Sequence, residues 1–144
     1  MTRDCKRTGF LDSDAYIRGV FDLWAFDERR RKLIVIDHKT SKALSSADAV
    51  KAHSQLNLYV YMLTKMNNLE WDTADIALHF VRHGKNVWAY ITRKDMEEFG
   101  ARYMHFLAIL EERITKAYET NNWERCPGFH CKWCSFKGEC VGHI

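Results

Sequence analysis

The alternation of apolar and polar residues predicts two pairs of β-strands in this chain. An apolar and aromatic stretch at residues 15–26 is separated from the β-branched stretch at 33–36 by the charged run 27–32. This pattern is typical of two strands joined by a solvated turn. A second pair of strands is predicted over residues 75–82 and 86–91, joined by a short turn that contains a glycine.

Helical spacing predicts two helices. Ser45, followed three residues later by Asp48, resembles a capping box, and apolar residues then recur at helical spacing, which predicts a helix over about 46–66. Thr92 and Asp95 are expected to cap a long helix that continues to about residue 118. The order of elements predicts an α/β fold in which a central mixed sheet is flanked by helices and followed by a cysteine-rich tail.

Length and composition indicate one soluble domain. The 144 residues, 47% of them hydrophobic, are enough to bury a core without disulfide bonds. We expect a single domain over 1–144, with a core at about 10–120 and a metal-binding tail at about 121–144. No run approaches the ~18 apolar residues of a membrane span, and the charged first ten residues differ from a secretory signal. These features favour an intracellular, cytoplasmic protein without a membrane partner.

The positive charge of the chain permits a polyanionic partner without requiring one. The net charge is +3, a value also common among proteins that never bind nucleic acid. Two short basic stretches, at 29–32 and 82–85, lie in predicted turns, where they are either solvated tips or contacts for phosphates. The second stretch precedes Trp88 and Tyr90, which suggests a surface for stacking single-stranded bases.

Two aspartates and a lysine supply the candidate chemistry. Asp22 lies at the end of the first predicted strand segment and Asp37 at the end of the second, so antiparallel pairing with a twist or bulge is expected to bring both carboxylates to one edge. Mg²⁺ and Mn²⁺ prefer such oxygen ligands and leave room for a phosphate and a water. Lys39 shares a strand face with Asp37 because side chains alternate with period two. His38 points the other way, but its backbone carbonyl is available to a metal.

A polar pair on the following helix strengthens this interpretation. An Asp-x-Lys triplet alone is most often a surface ion pair, but Asp37 follows an apolar strand, where an unpaired acid is costly. Gln55 and Tyr59 are one helical turn apart and share a face, so they can hydrogen-bond a phosphate or the strand that carries Asp37. The alternative is that Tyr59 belongs to the core and Gln55 is a polar neighbour.

These motifs resemble a known nuclease family. Gly19-x-x-Asp22, Asp37-x-Lys39-Thr40 and Gln55-x-x-x-Tyr59, in this order, are similar to the PD-(D/E)XK nuclease superfamily, and specifically to its RecB-type and CRISPR-associated branch. The resemblance implies a restriction-endonuclease-like core in which Asp22 and Asp37 bind Mg²⁺ or Mn²⁺ and Lys39 is the catalytic lysine. It also implies that Gln55 and Tyr59 assist at the active site or in contact with DNA.

One part of the family pattern is absent. Members of the branch usually carry an upstream His or Glu that completes the metal site, whereas residues 1–16 contain neither. The candidates for that position are a water, Asp12, Asp14 or a partner subunit.

The cysteines indicate a metal site in the tail. Four of the five cysteines lie between Cys126 and Cys140, and the Cys-x-x-Cys spacing of Cys131 and Cys134 suits two ligands of one metal. A reactive dithiol is the rival interpretation, but no strand followed by a helix opens at that motif. Four local thiolates would satisfy Zn²⁺.

The same nuclease branch suggests a different metal for this tail. The spacing of Cys131, Cys134 and Cys140 is similar to the C-terminal part of its [4Fe-4S] motif, in which the fourth ligand lies far upstream. The resemblance therefore implies Cys5 as the fourth ligand, with Cys126 as the local alternative and structural Zn²⁺ as the alternative metal.

The resulting hypothesis is a metal-dependent deoxyribonuclease, and more specifically an exonuclease, that hydrolyses single-stranded DNA or duplex ends. The first alternative is a catalytically incomplete nuclease fold that binds DNA together with a partner. The second is a small zinc-binding interaction domain in which the acids are incidental. A chain of this size is also a candidate for a homo-oligomer or a complex with another protein.

Overall fold

A mixed four-stranded sheet organises the part of the chain described by the computed structural model, residues 1–125 and 127–138. The strand order is β1-β2-β3-β4; the outer pairs are antiparallel and β2 is parallel to β3. The predicted mixed sheet is therefore confirmed. The elements are β1 (Leu23–Asp27), β2 (Lys32–Lys39), α1 (Ala47–Lys51), α2 (Ser54–Asn67), β3 (Thr73–Phe80), β4 (Lys85–Thr92) and α3 (Arg93–Thr120), with short 3₁₀ turns at Val81–His83 and Phe129–Trp133.

The chain divides into two compact units, Met1–Tyr103 and Met104–Ile144. The first contains the sheet, α1, α2 and the start of α3, and the second contains the rest of α3 and the described part of the tail. None of the helices in residues 1–125 and 127–138 combines the length and apolar content needed to cross a membrane.

The core of the first unit lies between one face of the sheet and the helices α1 and α2. Burial alternates along β2, where Leu33, Val35 and Asp37 are buried and the intervening residues are more exposed. α1 contacts β3 and β4, and α2 contacts β2 and β3. Asp37 is therefore the only polar side chain among the buried residues of β2.

The structure corrects three boundaries of the predicted elements. β1 begins at Leu23, so Asp22 precedes the strand and does not end it. The helix predicted over 46–66 is two helices, because α1 ends at Lys51 and α2 begins at Ser54. The side chain that caps α1 belongs to Ser46, not Ser45, and it accepts a hydrogen bond from the backbone N–H of Ala49.

The parallel pairing of β2 and β3 determines which loops surround the candidate site. Lys39 is paired with Phe80, so both strands end at the same edge of the sheet. The loop after β2 and the turn after β3 are joined there, because His83 Nε2 lies 2.9 Å from the carbonyl oxygen of Lys42. We call this edge, with residues 40–46 and 81–85, the carboxyl edge.

Candidate active site

The register of β1 and β2 brings the two aspartates together. Leu23 pairs with Ile36, so Asp22, the residue before β1, lies next to the segment of β2 that carries Asp37 and His38. The carboxylate of Asp22 accepts a hydrogen bond of 2.8 Å from the backbone N–H of His38. Antiparallel pairing was expected, but the twist or bulge was not needed, because Asp22 lies just before its strand and Asp37 near the end of the next.

Asp37 is a buried carboxylate paired with a lysine. Its residue surface is 3% exposed. Lys39 Nζ lies 2.7 Å from Asp37 Oδ2, which places the two side chains on one face of β2 as predicted. The contact lacks the angles of a hydrogen bond, and Oδ2 has no hydrogen-bond partner among the described residues. Asp37 is thus a buried carboxylate whose charge is compensated by the adjacent ammonium of Lys39.

A chain of hydrogen bonds runs from Lys39 to the segment before β1. Lys39 Nζ donates to Gln55 Oε1 at 3.0 Å, and Gln55 Nε2 donates to the hydroxyl oxygen of Tyr59 at 2.8 Å. The Tyr59 hydroxyl in turn donates to the carbonyl oxygen of Val20 at 2.7 Å. The three sequence motifs therefore meet in one network, in which α2 positions Lys39 and also ties down the segment that carries Asp22.

The glycine of the first motif provides space for the tyrosine of the third. A Cβ atom on Gly19 would lie 3.2 Å from Tyr59 Cε1, closer than most real Cβ contacts. Phe21 packs edge-on against the Tyr59 ring with the centroids 4.8 Å apart. These contacts hold the Tyr59 ring between Gly19 and Phe21, where its hydroxyl reaches Val20.

The three sequence motifs do not include His53, but it belongs to the electrostatic surroundings of this site. Burial lowers the pKa of His53, the positive charge of Lys39 lowers it further, and Asp37 partly opposes both. Its Nδ1 atom is buried and has no hydrogen-bond partner among the described residues. The only sequence signal was its position two residues before Gln55.

The donor set of the site fits a hard divalent cation. Asp22 and Asp37 supply carboxylate oxygens, which Mg²⁺ and Mn²⁺ prefer, and Oδ2 of Asp37 is buried beside Lys39 without the angles of a hydrogen bond. In the described part of the chain, however, no group of three or more His, Cys, Asp or Glu side chains is arranged to hold a metal ion. Water and backbone oxygens would have to complete the coordination shell of a metal ion bound by the two carboxylates.

The two acids considered for the upstream position are engaged in a local loop. Asp12 accepts hydrogen bonds from the Thr8 hydroxyl and the Gly9 N–H, which lower the pKa of its carboxyl group. Asp14 accepts a bond of 2.9 Å from the same hydroxyl.

The predicted cysteine ligands lie only partly in the described residues. Cys5, Cys131 and Cys134 are free thiols, and Cys126 and Cys140 lie outside the described residues. The Cys5 sulfur is 3.7 Å from the Tyr61 hydroxyl. Cys131 Sγ accepts a hydrogen bond of 3.3 Å from the Gly128 N–H, and Cys131 lies in the 3₁₀ turn that Cys134 directly follows.

Comparison with known proteins gives the superfamily to which the chain belongs. A family model of the PD-(D/E)XK nuclease superfamily matches residues 3–141, nearly the whole chain. The chain belongs to this superfamily. No curated protein and no solved structure gave a significant match.

Proposed function

We propose that this chain is a metal-dependent deoxyribonuclease that hydrolyses phosphodiester bonds of DNA. The observation that carries the proposal is the network in which the buried Asp37 carboxylate, Lys39, Gln55 and Tyr59 are in contact. A carboxylate is costly to bury at a strand position that is otherwise apolar, which favours a functional site over an incidental ion pair. Membership in the nuclease superfamily supports the same reaction.

The proposed roles follow from the contacts of each residue. Asp22, Asp37 and the backbone carbonyl of His38 would hold Mg²⁺ or Mn²⁺. When bound, such an ion supplies stabilisation of charge on the phosphate and lowers the pKa of a coordinated water. Lys39 would donate to a phosphate oxygen or to the attacking water, because its ammonium lies beside Asp37. Gln55 and Tyr59 are proposed as positioning residues that hold Lys39.

Replacement of Asp37 by Asn tests the proposal. We expect Mn²⁺-stimulated cleavage of a labelled DNA duplex to fall by about 10²- to 10³-fold or more, because a ligand is lost. The free energy of unfolding should fall, because Lys39 loses the partner of its ion pair, so the thermal unfolding midpoint is measured to verify that the variant is folded under assay conditions.

The matched control is Asp75→Asn. Asp75 also forms an ion pair with a lysine, Lys32, at 2.6 Å, but near the start of β2 and β3. Cleavage should be retained in this variant. Unchanged cleavage in Asp37→Asn would refute the proposal.

A catalytically incomplete DNA-binding module is the second candidate. Two observations favour it: the Asp22 carboxylate already accepts the His38 N–H, and no third acid, histidine or cysteine joins the two aspartates in the described residues. Salt-dependent DNA binding by the native chain without any Mg²⁺- or Mn²⁺-stimulated cleavage would select this candidate.

The preference for exonuclease over endonuclease action rests on the resemblance of the motifs to the RecB-type branch. A linear duplex and a covalently closed circle of the same sequence distinguish the two modes. An exonuclease degrades only the linear DNA, whereas cleavage of the circle would contradict the proposal.

For the tail, we extend the proposal to a [4Fe-4S] cluster held by Cys5, Cys131, Cys134 and Cys140, with Cys126 and Zn²⁺ as alternatives. The free thiols of Cys131 and Cys134, close in sequence around one 3₁₀ turn, are compatible with a shared metal. Anaerobic purification followed by metal analysis and visible absorption is the test. Iron with a brown colour supports the cluster, and a colourless protein with zinc supports the alternative.

A further inference from the structure

Two basic clusters of the first unit differ in their ion pairing. The cluster most obvious in the sequence, at the turn between β1 and β2, is largely neutralised. Arg30 contacts Asp27 at 3.8 Å, Arg31 contacts Asp72 at 3.2 Å and Lys32 contacts Asp75 at 2.6 Å. This turn also lies at the opposite end of β2 from Asp37 and Lys39.

The cations of the carboxyl edge are not neutralised. Lys42, Arg82 and Lys85 are exposed, and none of them forms an ion pair with a described residue. The sequence contains no Asp or Glu from His38 to Ala47, and none from Phe80 to Lys94. The local positive charge here is therefore larger than the net charge of the whole chain suggests.

The fold places these cations beside the candidate active site. Lys42 follows Lys39 by three residues, a reach of roughly 10 Å at most, and Arg82 follows Phe80, the strand partner of Lys39, by two. The contact between His83 and the Lys42 carbonyl joins the loop and the turn that carry the cations. The rise per nucleotide along one DNA strand is about 3.4 Å, so a phosphate bound beside Lys39 would have neighbours within this reach.

We propose that Lys42, Arg82 and Lys85 form a binding site for the DNA phosphodiester backbone flanking the scissile bond. The assignment of a scissile bond rests on the proposed function. The binding site itself does not require the chain to be an active enzyme. Contacts of this kind position the nucleic acid and carry no sequence information, so affinity should depend on salt and not on base sequence.

The test compares two triple variants that lose the same charge. The first is Lys42→Ala, Arg82→Ala and Lys85→Ala. The control is Arg29→Ala, Arg30→Ala and Lys94→Ala; its residues are exposed, Arg30 and Lys94 are paired with acids, and two of the three lie at the turn between β1 and β2. Binding of the full-length chain to a fluorescent duplex of about 30 base pairs is measured by anisotropy in EDTA at several salt concentrations, with two unrelated base sequences.

For the first variant we expect about tenfold or greater loss of affinity at ~0.1 M salt, equal for both sequences, and a salt slope lower by about 2 to 3. Each single variant should lower the slope by about 1. The control should keep nearly native affinity and slope. Native binding by the first variant, or equal losses in both triple variants, would overturn the proposal.

Two further readouts separate this inference from the proposed function. The thermal unfolding midpoint checks folding, and it should be native because all three side chains are exposed. Mn²⁺-dependent cleavage of a small phosphodiester tests the chemistry in a substrate that has no flanking DNA backbone. The triple variant of Lys42, Arg82 and Lys85 should cleave this substrate at the native rate. Absence of cleavage by the native chain would refute the proposed nuclease activity. The anisotropy measurements alone would then decide whether Lys42, Arg82 and Lys85 bind the DNA backbone.

Discussion

At the scale of single residues, Tyr59 connects the most parts of the site. Its ring packs between Gly19 and Phe21, and its hydroxyl both accepts from Gln55 and donates to Val20. Because the hydroxyl contacts Gln55 and Val20 and not the proposed metal ligands, its proposed role is to hold Gln55 and the segment before β1 in place.

Tyr59→Phe is expected to lower the catalytic rate by about tenfold, because Gln55 loses the partner that orients it toward Lys39. Stability should fall by about 1 kcal/mol, the usual effect of a lost buried hydrogen bond. DNA cleavage and urea unfolding measure the two effects.

The control for this prediction is Tyr61→Phe on the same helix. The Tyr61 hydroxyl has a weak contact with Cys5 and none with the network. Burial, with a smaller contribution from Cys5, raises the pKa of Tyr61 to about 12, so its hydroxyl stays neutral under assay conditions. An equal loss of activity in both variants would contradict the role assigned to Tyr59.

At the scale of elements, the start of α3 is fixed by a reciprocal cap. The Thr92 hydroxyl accepts from the Asp95 N–H, and the Asp95 carboxylate accepts from the Thr92 N–H and hydroxyl. These contacts confirm the predicted cap. They satisfy backbone donors that the first turn of a helix leaves free.

The cap predicts an acid-dependent loss of stability. The hydrogen bond from the Thr92 backbone, followed by that from its hydroxyl, lowers the pKa of Asp95 below its ordinary value of 3.8. Because the folded-state pKa is lower than the unfolded one, the stabilisation is present above about pH 3.8 and is lost as the pH falls through the folded-state pKa.

Asp95→Ala should therefore lower the free energy of unfolding by about 1 kcal/mol near pH 6, and the difference from the native chain should shrink in acid. Glu98→Ala, which removes only an exposed pair with Lys94 on the same helix, should change stability by less than about 0.5 kcal/mol. Urea unfolding in metal-free buffer at several pH values tests both. A difference independent of pH would contradict this account of the cap.

At the scale of the whole molecule, metal binding and folding should be coupled. An ion that binds the folded site and not the unfolded chain stabilises the protein by about 2.7 kcal/mol at a concentration 100 times its Kd. Mn²⁺ is therefore expected to raise the unfolding temperature of the native chain and of Asp75→Asn, and to have little effect on Asp37→Asn. Equal stabilisation of all three proteins would place the ion elsewhere.

Short-range patterns in the sequence were sufficient to predict the types of the elements and the three motifs of the site. The period of two along β2 correctly placed Asp37 and Lys39 on one face of that strand, and helical spacing correctly placed Gln55 and Tyr59 on one face of α2. The break between α1 and α2 escaped prediction, because residues 51–54 contain neither Gly nor Pro. Local propensity does not register such a break.

The sequence by itself determined which chemical groups are present and on which strand or helix face they lie, because those depend on backbone periodicity over a few residues. Only the tertiary structure decided that Asp22 precedes its strand, that His53 shares the electrostatic field of Asp37 and Lys39, and that the exposed cations of the carboxyl edge form no ion pair with a described residue while most cations of the first turn do. These properties depend on strand register and on which acidic side chains, distant in sequence, approach each basic side chain. Neither is encoded in the spacing of neighbouring residues.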